Sequence, residues 1–301
     1  MRHKSPSGKR VLIIGCGDIG LRTAKLLLSH YRLYGLVRST DKASELRTMG
    51  IVPIVADLAK RDSLTRIGAL ADMVLHLAPP PALGVIDSHT RNLLAALGRR
   101  LKLPQRLVYV STSGVYGDCA GDWVSETRTP RPVTARAVRR LDAESRIRRF
   151  SRRTGVSSCL LRVPGIYAGD RLPTARIERG TPVLRAEDDV FTNHVHADDL
   201  ALLVRTGMTR GGSARIYHAS DDSGMKMGEY FNAVARAFDL PAPPAISRQQ
   251  AEQTLPANLL SFMSESRRLL NARIKTELRA RLKYAKVEDF LTVCSRLHDL
   301  N

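Results

Sequence analysis

A strand, a glycine turn and a helix near the start of the chain constrain its fold more than any other feature. Residues 11–14 form a short apolar run, mostly β-branched, that is typical of a buried strand. Three glycines follow with G-x-G-x-x-G spacing, at Gly15, Gly17 and Gly20, and apolar residues then recur at helical spacing. In this context the glycines allow a tight turn, close approach of a pyrophosphate and close helix packing. The pattern predicts a dinucleotide site at the helix N-terminus; the alternative is a glycine turn that binds nothing.

Beyond this unit, strand-like and helix-like segments alternate. Further strands are predicted at residues 33–37, 51–56, 73–77, 106–111, 158–163 and 215–219. Helices are predicted between them at residues 41–49, 86–101 and 132–153. This alternation predicts an α/β fold with a Rossmann-type doubly wound parallel sheet, whose strands end at one ligand-binding edge. That edge would collect Gly15, Arg38, Asp57, Ala78 and Thr112.

The chain is long enough for one large domain and a smaller lobe. We expect residues 10–164 and 190–220 to form the dinucleotide-binding domain. Residues 165–189 and 221–301 would form a discontinuous C-terminal substrate lobe. This lobe would include an amphipathic helix at 226–238 and a basic, helix-rich stretch at 259–284. Residues 1–9 are basic and polar, which predicts a flexible tail.

Arginine dominates the charge of the chain. The formal net charge is +19, and because only ten of the 48 basic residues are Lys, 38 are Arg. Eight of these arginines lie within the predicted helix at 132–153. One interpretation is binding to nucleic acid or to an anionic substrate, and the other is a set of solvated basic faces. Aromatic residues make up only 5% of the chain, which disfavours nucleic acid.

The cysteines and the hydropathy pattern exclude several classes of protein. The four cysteines are far apart and follow no metal-binding spacing, which suits free thiols in a reducing compartment. No apolar run is long enough to span a membrane, and the basic N-terminus lacks the cleavage pattern of a signal peptide. We therefore expect a cytoplasmic protein without a metal site.

Six motifs follow one another along almost the whole chain, at residues 15–20, 57–58, 76–79, 110–117, 161–167 and 193–200. In these motifs the chain resembles an extended or atypical short-chain dehydrogenase/reductase of the NAD-dependent epimerase/dehydratase family. Residues 265–278 are similar to the C-terminal segment of an atypical subgroup with no settled activity. The resemblance implies a Rossmann domain that binds a nicotinamide dinucleotide.

The resemblance also implies which residues contact the cofactor. Asp57 would accept a hydrogen bond from the adenine amino group, and Leu58 would pack on the ring. Arg38 and Ser39 follow the second strand, where an acidic residue would bind the ribose of NAD, and a guanidinium suits the 2′-phosphate of NADP. NADP is therefore favoured, with NAD as the alternative if Arg38 is only a surface arginine. The other contacts would be Gly15, Cys16, Gly17, Asp18, Ile19, Gly20, Leu77, Ala78, Pro79 and Pro164.

The chain departs from the family at its catalytic pair. Family members use a Tyr-x-x-x-Lys pair for acid–base chemistry, and a Ser or Thr that hydrogen-bonds the reacting oxygen. The hydroxyl corresponds to Thr112, but Arg136 occupies the tyrosine position and Arg140 the lysine position. Arginine stays protonated and cannot act as a general acid or base, although Arg140 can supply positive charge. Tyr116 and Tyr167 are candidate substitutes, although such tyrosines more often shape the pocket.

Two functions remain open on this evidence. The first is an oxidoreductase or epimerase that binds NADP and acts on a small anionic, nucleotide-sugar-like substrate through non-standard residues. The second is a non-catalytic NADP-binding protein that reports the redox state of the cofactor to a partner. Nucleic-acid binding by the helix at 136–153 is a weaker third hypothesis. Family members often dimerise through this helix, and its like charges would oppose that packing, so both a monomer and a homodimer remain open.

Overall fold

Thirteen β-strands run through the described part of the computed structural model, residues 7–99 and 102–298. They are β1 (Ser7–Ile14), β2 (Tyr31–Val37), β3 (Val52–Val55), β4 (Met73–His76), β5 (Arg106–Thr112), β6 (Trp123–Val124), β7 (Ser157–Val163), β8 (Gly165–Tyr167), β9 (Val183–Leu184), β10 (His194–His196), β11 (Arg215–His218), β12 (Ala245–Ile246) and β13 (Arg268–Leu269). Seven of them form one parallel sheet in the order β11-β7-β5-β4-β1-β2-β3. The strand order reverses at β1, which confirms the predicted Rossmann-type α/β architecture.

Eleven α-helices accompany these strands within the same described ranges. They are α1 (Asp18–Leu27), α2 (Thr40–Thr48), α3 (Ser88–Leu97), α4 (Ala135–Thr154), α5 (Thr174–Glu178), α6 (Ala197–Arg210), α7 (Met227–Ala237), α8 (Arg248–Thr254), α9 (Ala257–Phe262), α10 (Ala272–Thr276) and α11 (Val287–His298). Short 3-10 helices span Arg61–Ile67, Ser113–Tyr116 and Gly169–Arg171. None of the helices in the described ranges has the length and hydropathy needed to cross a membrane.

The sheet is buried on both faces, and β1 shows how. Val11 and Ile13 belong to the apolar layer that α1, α2 and α6 cover, whereas Leu12 and Ile14 belong to the layer under α3 and α4. All four side chains are fully buried. Successive side chains of a strand point to opposite faces, so a strand covered on both sides must be apolar throughout. This double coverage explains the continuous apolar run that marks β1 in the sequence.

The arginine-rich helix α4 divides its basic residues between solvent and core. Five of its arginines are exposed: Arg136, Arg148, Arg149, Arg152 and Arg153. Arg139 and Arg140 are instead buried, which the sequence did not indicate. Both donate to backbone carbonyl oxygens of loops and strand ends outside the helix. Hydrogen bonding of the guanidinium makes this burial tolerable.

Three two-stranded pairs lie outside the parallel sheet, β8–β10, β9–β12 and β6–β13. We call the segments that carry them, together with α5, α7 and α11, the smaller lobe; β6 and β10 come from residues predicted for the larger domain. Its apolar core is rich in aromatic rings, among them Tyr167, Phe231 and Phe290. The expectation of a helix-rich stretch at 259–284 is wrong, because this stretch holds only the end of α9, the strand β13 and the short α10. Ile274 and Leu278 are fully buried in the core of the large domain, so packing rather than helix propensity decides this segment.

Three predicted boundaries shift for local reasons. The helix predicted from residue 86 begins at Ser88, because the Asp87 side chain caps it by accepting a hydrogen bond of 2.9 Å from the Thr90 backbone N–H. It ends at Leu97, and residues 100–101 of the predicted helix lie outside the described ranges. Strand β1 begins at Ser7, so residues 7–9 belong to the sheet rather than to a flexible tail, while residues 1–6 also lie outside the described ranges.

Candidate cofactor and substrate site

The glycine turn between β1 and α1 has a backbone that only glycine fits well. Gly15 has φ +97°, and a Cβ atom there would lie 2.5 Å from the backbone nitrogen of Ala78. A Cβ on Gly20 would collide with the carbonyl oxygen of Gly15, so the helix and the turn meet without room for a side chain. Gly17 is different, because no atom lies within 4 Å of the position its Cβ would take. The open space at Gly17 borders the N-terminus of α1, where free N–H groups favour a phosphate.

Two other residues of the turn pack inward. Cys16 Sγ lies 3.7 Å from the carbonyl oxygen of Ile13 and faces Gly35 of β2. Burial raises the pKa of the Cys16 thiol to about 12, so the side chain is a neutral filler. Ile19 packs against the core under α1. We therefore expect both residues to contact a phosphate through their backbone only.

Asp18 begins α1 and is held by two arginines. Arg22 Nε donates to Asp18 Oδ1 at 2.7 Å, and Arg171 Nη2 lies 3.0 Å from Asp18 Oδ2. Arg22 also donates to Asp198 at 2.6 Å. Arg171 comes from the 3-10 helix after β8, far away in sequence, and no sequence pattern marks it. The turn therefore carries a carboxylate whose charge is compensated by two guanidinium groups.

The end of β2 presents a guanidinium without a partner. Arg38 is exposed, and its side chain makes no hydrogen bond or ion pair in the described ranges of the chain. The neighbouring Ser39 caps α2, with its Oγ accepting a hydrogen bond from Lys42 N at 3.4 Å. The register of β1 and β2 pairs Ile14 with Leu36, so Arg38 lies at the same sheet edge as the glycine turn. An unpaired guanidinium at this position fits a 2′-phosphate.

Asp57 and Leu58 follow β3 at the same edge. Asp57 Oδ1 accepts a hydrogen bond of 2.9 Å from Ala59 N, and its Oδ2 makes none within the described chain, so this oxygen is available to an adenine amino group. Leu58 is buried in the layer under α3. Its carbonyl oxygen accepts a hydrogen bond of 2.8 Å from Asn92 Nδ2, which fixes the segment against α3. Asn92 was not anticipated from the sequence, since it lies within an ordinary helical pattern.

Arg140 connects the ends of β4 and β5. Its Nη1 donates to the carbonyl oxygens of Ala78 at 3.2 Å and Val110 at 2.8 Å, and to the Tyr109 hydroxyl at 3.1 Å. The side chain is buried, and its Nε has no hydrogen-bond partner in the described chain. On the other side of Ala78, Leu77 N donates to the Ile14 carbonyl oxygen at 2.7 Å. The Arg140 guanidinium thus holds the strand ends together as a fixed positive charge.

A cavity of about 530 Å³ opens between this sheet edge and the smaller lobe. Its lining includes Thr112, Arg136, Pro164, Arg171, Glu265 and Arg267. Thr112 Oγ1 accepts a hydrogen bond from Gly114 N at 3.2 Å, so the proton of the hydroxyl is free for another acceptor. Although the Arg136 residue is exposed, desolvation of its guanidinium by the surrounding protein and the charges of Arg140 and Arg139 lower its pKa, and it remains protonated at neutral pH. The sequence-predicted Thr112, Arg136 and Pro164 therefore share one cavity.

The outer wall of the cavity contains a carboxylate that the sequence analysis missed. Glu265 Oε2 accepts a hydrogen bond from Arg267 Nη1 at 2.8 Å, while its buried Oε1 has no hydrogen-bond partner in the described chain. Arg267 Nη1 also donates to the carbonyl oxygen of Gly117 at 2.6 Å. Among the described residues that line the cavity, Glu265 is the only carboxylate.

The candidate substitute tyrosines lie elsewhere. The Tyr116 hydroxyl is 2.5 Å from His218 Nε2, and burial raises the Tyr116 pKa to about 12. Tyr167 is fully buried in the lobe, and burial beside Asp221 raises its pKa far above the ordinary range. His194 stacks on Tyr230 with 4.3 Å between ring centroids, in the same aromatic core. Neither tyrosine lines the described part of the cavity at Thr112.

A buried ion pair supports β5 and β7 behind the cavity. Glu144 accepts hydrogen bonds from Arg162 at 2.7 Å and 3.1 Å and from the Ser111 hydroxyl at 2.6 Å. Both charged side chains are only 2% exposed. Burial alone would lower the Arg162 pKa, but the hydrogen bonds and charge of Glu144 more than offset this effect and raise it. The pair is neutral as a unit, which is the condition for burying two charges.

This geometry can be compared with known proteins. Residues 11–218 match the model of the NAD dependent epimerase/dehydratase family. The chain belongs to this family. The matched region contains all seven strands of the parallel sheet except the first residues of β1, and therefore the whole cofactor edge. The resemblance found in the motifs is confirmed at the level of the family, while the atypical subgroup stays a prediction.

Individual relatives support the fold over nearly the full chain. An uncharacterized protein of Schizosaccharomyces pombe is 25% identical over 268 residues, covering 85% of this chain and 88% of the relative. A functionally unknown conserved protein from Silicibacter pomeroyi superposes with a TM-score of 0.78 at 24% identity, over 97% of this chain and 99% of that one. UDP-glucuronic acid 4-epimerase from Bacillus cereus, solved in complex with NAD, superposes with a TM-score of 0.72 at 17% identity, over 94% and 99% of the chains. These structural similarities show the fold.

Proposed function

We propose that this family member binds NADP and acts as an oxidoreductase or epimerase on a small anionic substrate through non-standard acid–base residues. The observation that carries the proposal is the cavity beside Thr112, which is lined by Arg136, Arg171 and Arg267 and is joined to the glycine turn by the ion pair of Arg171 with Asp18. Glu265 offsets one of these charges, so the lining keeps a net positive charge that favours a phosphate or carboxylate group on the ligand. The neighbouring UDP-glucuronic acid epimerase makes a nucleotide sugar a reasonable substrate class.

The residues of the dinucleotide site fit the proposed cofactor. Gly17 leaves open space where a pyrophosphate would lie, and Gly15 and Gly20 tolerate no side chain. The unpaired Arg38 guanidinium would bind the 2′-phosphate, and Asp57 Oδ2 would accept from the adenine amino group. A bound nicotinamide would supply the chemistry of hydride transfer. NAD remains the alternative, in which Arg38 would contribute nothing to cofactor choice.

The cavity residues would divide the remaining work among them. The Thr112 hydroxyl, whose oxygen already accepts from Gly114, would donate its proton as a hydrogen bond to a reacting oxygen of the substrate. Arg136 would hold an anionic group and cannot exchange protons at neutral pH. Glu265 would then be the group that accepts or returns a proton, because its Oε1 is unpartnered and aspartate and glutamate serve this role in many enzymes. Arg140 would stabilise negative charge from behind the strand ends.

Calorimetric titration with NADP, NADPH, NAD and NADH tests the proposal. We expect NADP(H) to bind more tightly than NAD(H), and Arg38→Asp to abolish this preference. Arg47→Asp is the matched control, since Arg47 is an exposed arginine on α2 and the change in charge is the same. Binding of none of the four dinucleotides would reject the proposal. Equal affinity for NADP and NAD would reject the assigned role of Arg38.

A second candidate function is a non-catalytic NADP-binding redox sensor. It is favoured by the absence of any tyrosine from the described lining of the cavity, together with the burial of the Tyr116 and Tyr167 hydroxyls. Screening small anionic substrates by the absorbance of the reduced nicotinamide distinguishes the two functions. Turnover that depends on Thr112 supports the enzyme. The sensor is supported if a partner protein binds the NADP-bound and the NADPH-bound chain with different affinities and no turnover is found.

A further inference from the structure

A second and larger cavity, of about 700 Å³, lies at the opposite edge of the sheet. Three elements form its walls: the end of α1 with the start of β2, one face of α6, and residues 279–281. Tyr31 is the first residue of β2, whereas Arg38 follows the last, so the two cavities lie at opposite ends of the strands. No part of the proposed NADP and substrate site uses this surface. We call it the basic groove.

The charge of the basic groove has one sign. Four arginines line it: Arg205, Arg210, Arg279 and Arg281. Arg210 donates to the carbonyl oxygen of Leu278 at 3.0 Å, and the side chains of the other three make no hydrogen bond or ion pair within the described ranges. None of the described lining residues is acidic. Four positive charges in one concave surface raise the local concentration of anions.

The backbone places Arg279 in the groove at a conformational cost. Its φ is +51°, in the left-handed region that disfavours any residue with a Cβ. The flanking Leu278 and Ala280 are buried, and Ala280 N donates to the Ile274 carbonyl oxygen at 3.0 Å, which fixes the turn. Glycine would adopt this conformation without strain. A backbone that would suit glycine thus holds the Arg279 side chain at this surface.

The other walls suit the remaining parts of a nucleotide. Leu202 contributes apolar surface, and Ser29 and Thr209 contribute hydroxyl groups. Tyr31 packs against the core, is partly exposed and belongs to the lining, so its ring would be the aromatic surface for a base. Guanidinium groups bind phosphates in bidentate geometry. The volume lies within the range of about 300–1,000 Å³ that small-molecule sites occupy.

We propose that the basic groove binds a nucleotide that carries at least two phosphates, with the arginines on the phosphates and Tyr31 beside the base. The proposal does not depend on the function proposed for the cavity at Thr112. It gives a role to arginines that neither the cofactor site nor the core uses. A site so far from the nicotinamide edge would sense or store a nucleotide rather than react with it.

Titration of the full chain with ADP, followed by hydrogen exchange of the complex, tests the proposal. The test variant is Arg279→Gly with Arg281→Ser, and because glycine relieves the strain at position 279 we expect it to fold normally. The control is Arg149→Ser with Arg153→Ser, which removes the same charge from the exposed face of α4. We expect ADP to bind at least tenfold more weakly to the test variant and within about twofold of the original affinity to the control, since tenfold corresponds to about 1.4 kcal/mol.

Hydrogen exchange separates this site from the cofactor site, which can also accept an adenine nucleotide. We expect ADP to protect residues 27–31 and 279–283 in the original chain but not in the test variant, while NADP affinity is the same in both. Protection confined to residues 15–20 would overturn the proposal. Equal loss of ADP affinity in both variants would overturn it as well, since net charge alone would then explain binding. A single-stranded oligonucleotide could also bind more tightly than ADP and lose affinity equally in both variants. That result would overturn the proposal and indicate a nucleic-acid surface instead.

Discussion

Arg171 Nη2 lies 3.0 Å from Asp18 Oδ2, and this ion pair joins the segment after β8 to the first turn of α1. Asp18 also accepts from Arg22 at 2.7 Å. A carboxylate at a helix N-terminus is favourable for the helix, but the same charge repels a phosphate bound there. Arg171 lines the cavity at Thr112 as well, so it lies within reach of both proposed ligands. The ion pair thus competes with any anion for the same guanidinium.

Asp18→Asn should therefore strengthen dinucleotide binding. Removal of the carboxylate charge releases Arg171 and reduces the repulsion of the pyrophosphate, which is worth about 0.3–1 kcal/mol near a helix end, or about a two- to fivefold lower dissociation constant. Calorimetry with NADP measures the change. Glu288→Gln, in the first turn of α11, is the control and should leave the affinity unchanged. Weaker binding by Asp18→Asn would show that the carboxylate helps to hold the cofactor.

Substitutions of the glycines in the turn should differ in their effects on stability and on NADP affinity. Gly17→Ala meets no neighbouring atom, so we expect unchanged unfolding free energy but NADP binding at least tenfold weaker, since the new methyl group enters the phosphate space. Gly20→Ala collides with backbone and should lower the unfolding free energy by about 1–3 kcal/mol. Urea denaturation and calorimetry on both variants measure these effects. Equal loss of stability in the two variants would contradict the assigned geometry.

Thr112→Val and Glu265→Gln should each remove turnover of any substrate that is found, by about 100-fold or more. Neither residue belongs to the proposed dinucleotide contacts, so NADP affinity should stay within about twofold of the original. Thr112→Ser should restore much of the lost rate, because it keeps the hydroxyl. Initial rates followed by nicotinamide absorbance provide the measurement. A rate unaffected by Thr112→Val would remove this residue from the mechanism, and the same holds for Glu265→Gln.

Breaking the Glu144–Arg162 pair should lower the free energy of unfolding. Glu144→Gln leaves a buried guanidinium uncompensated, and we expect a loss of about 3–5 kcal/mol in unfolding free energy. Glu144→Leu combined with Arg162→Met should lose less than Glu144→Gln, because no buried charge remains. Glu45→Gln removes the exposed pair with Lys42 and should change stability by less than about 1 kcal/mol. Urea denaturation of the four proteins, the original included, gives the comparison, and a double variant less stable than Glu144→Gln would contradict it.

Asp221 should make stability depend on pH. Burial raises its pKa from 3.8 to about 7, and it lies beside Tyr167 and Asp222 while its Oδ1 accepts from Ser223 N at 3.0 Å. The folded chain therefore binds the proton more tightly than the unfolded chain, so this group's contribution to stability falls as pH rises from about 4 to about 7. The Asp221→Asn variant should not show this loss of stability with rising pH. At about pH 8 its free energy of unfolding should exceed that of the original chain, by at most about 1.4 kcal/mol per unit of pKa shift. Denaturation at about pH 4.5 and about pH 8 measures it, and an equal effect at both would contradict the assignment.

The sequence predicted the parts of the site that depend on strand order. Gly15, Arg38 and Asp57 follow successive parallel strands, and parallel strands end at one edge, so their proximity follows from the alternation of elements alone. The residues of the outer wall of the cavity could not be predicted from strand order. Arg171 and Glu265 lie in irregular segments without periodicity, and their positions are set by contacts with residues far away in the chain.

The sequence also could not predict which arginines of α4 are buried. Arg139 and Arg140 look like the other arginines of α4 in composition and spacing. They are buried because carbonyl oxygens of Gly84, Ala78 and Val110 happen to be available beside them. The partner of the Tyr116 hydroxyl was beyond the sequence for the same reason, since His218 is 102 residues away. The local sequence pattern around these residues gives no information about hydrogen-bond partners that lie far away in the chain.

The pairing of β6 with β13 has a consequence for how the site is completed during synthesis. β13 is made 145 positions after β6, since Arg268 pairs with Trp123. A nascent chain that has reached residue 220 already holds every strand of the parallel sheet and the whole glycine-turn edge. It still lacks Glu265 and Arg267, so the cavity at Thr112 stands open on one side. Translation thus supplies the glycine-turn edge before Glu265 and Arg267, which close the cavity at Thr112, and before Ile274 and Leu278, which complete the core of the large domain.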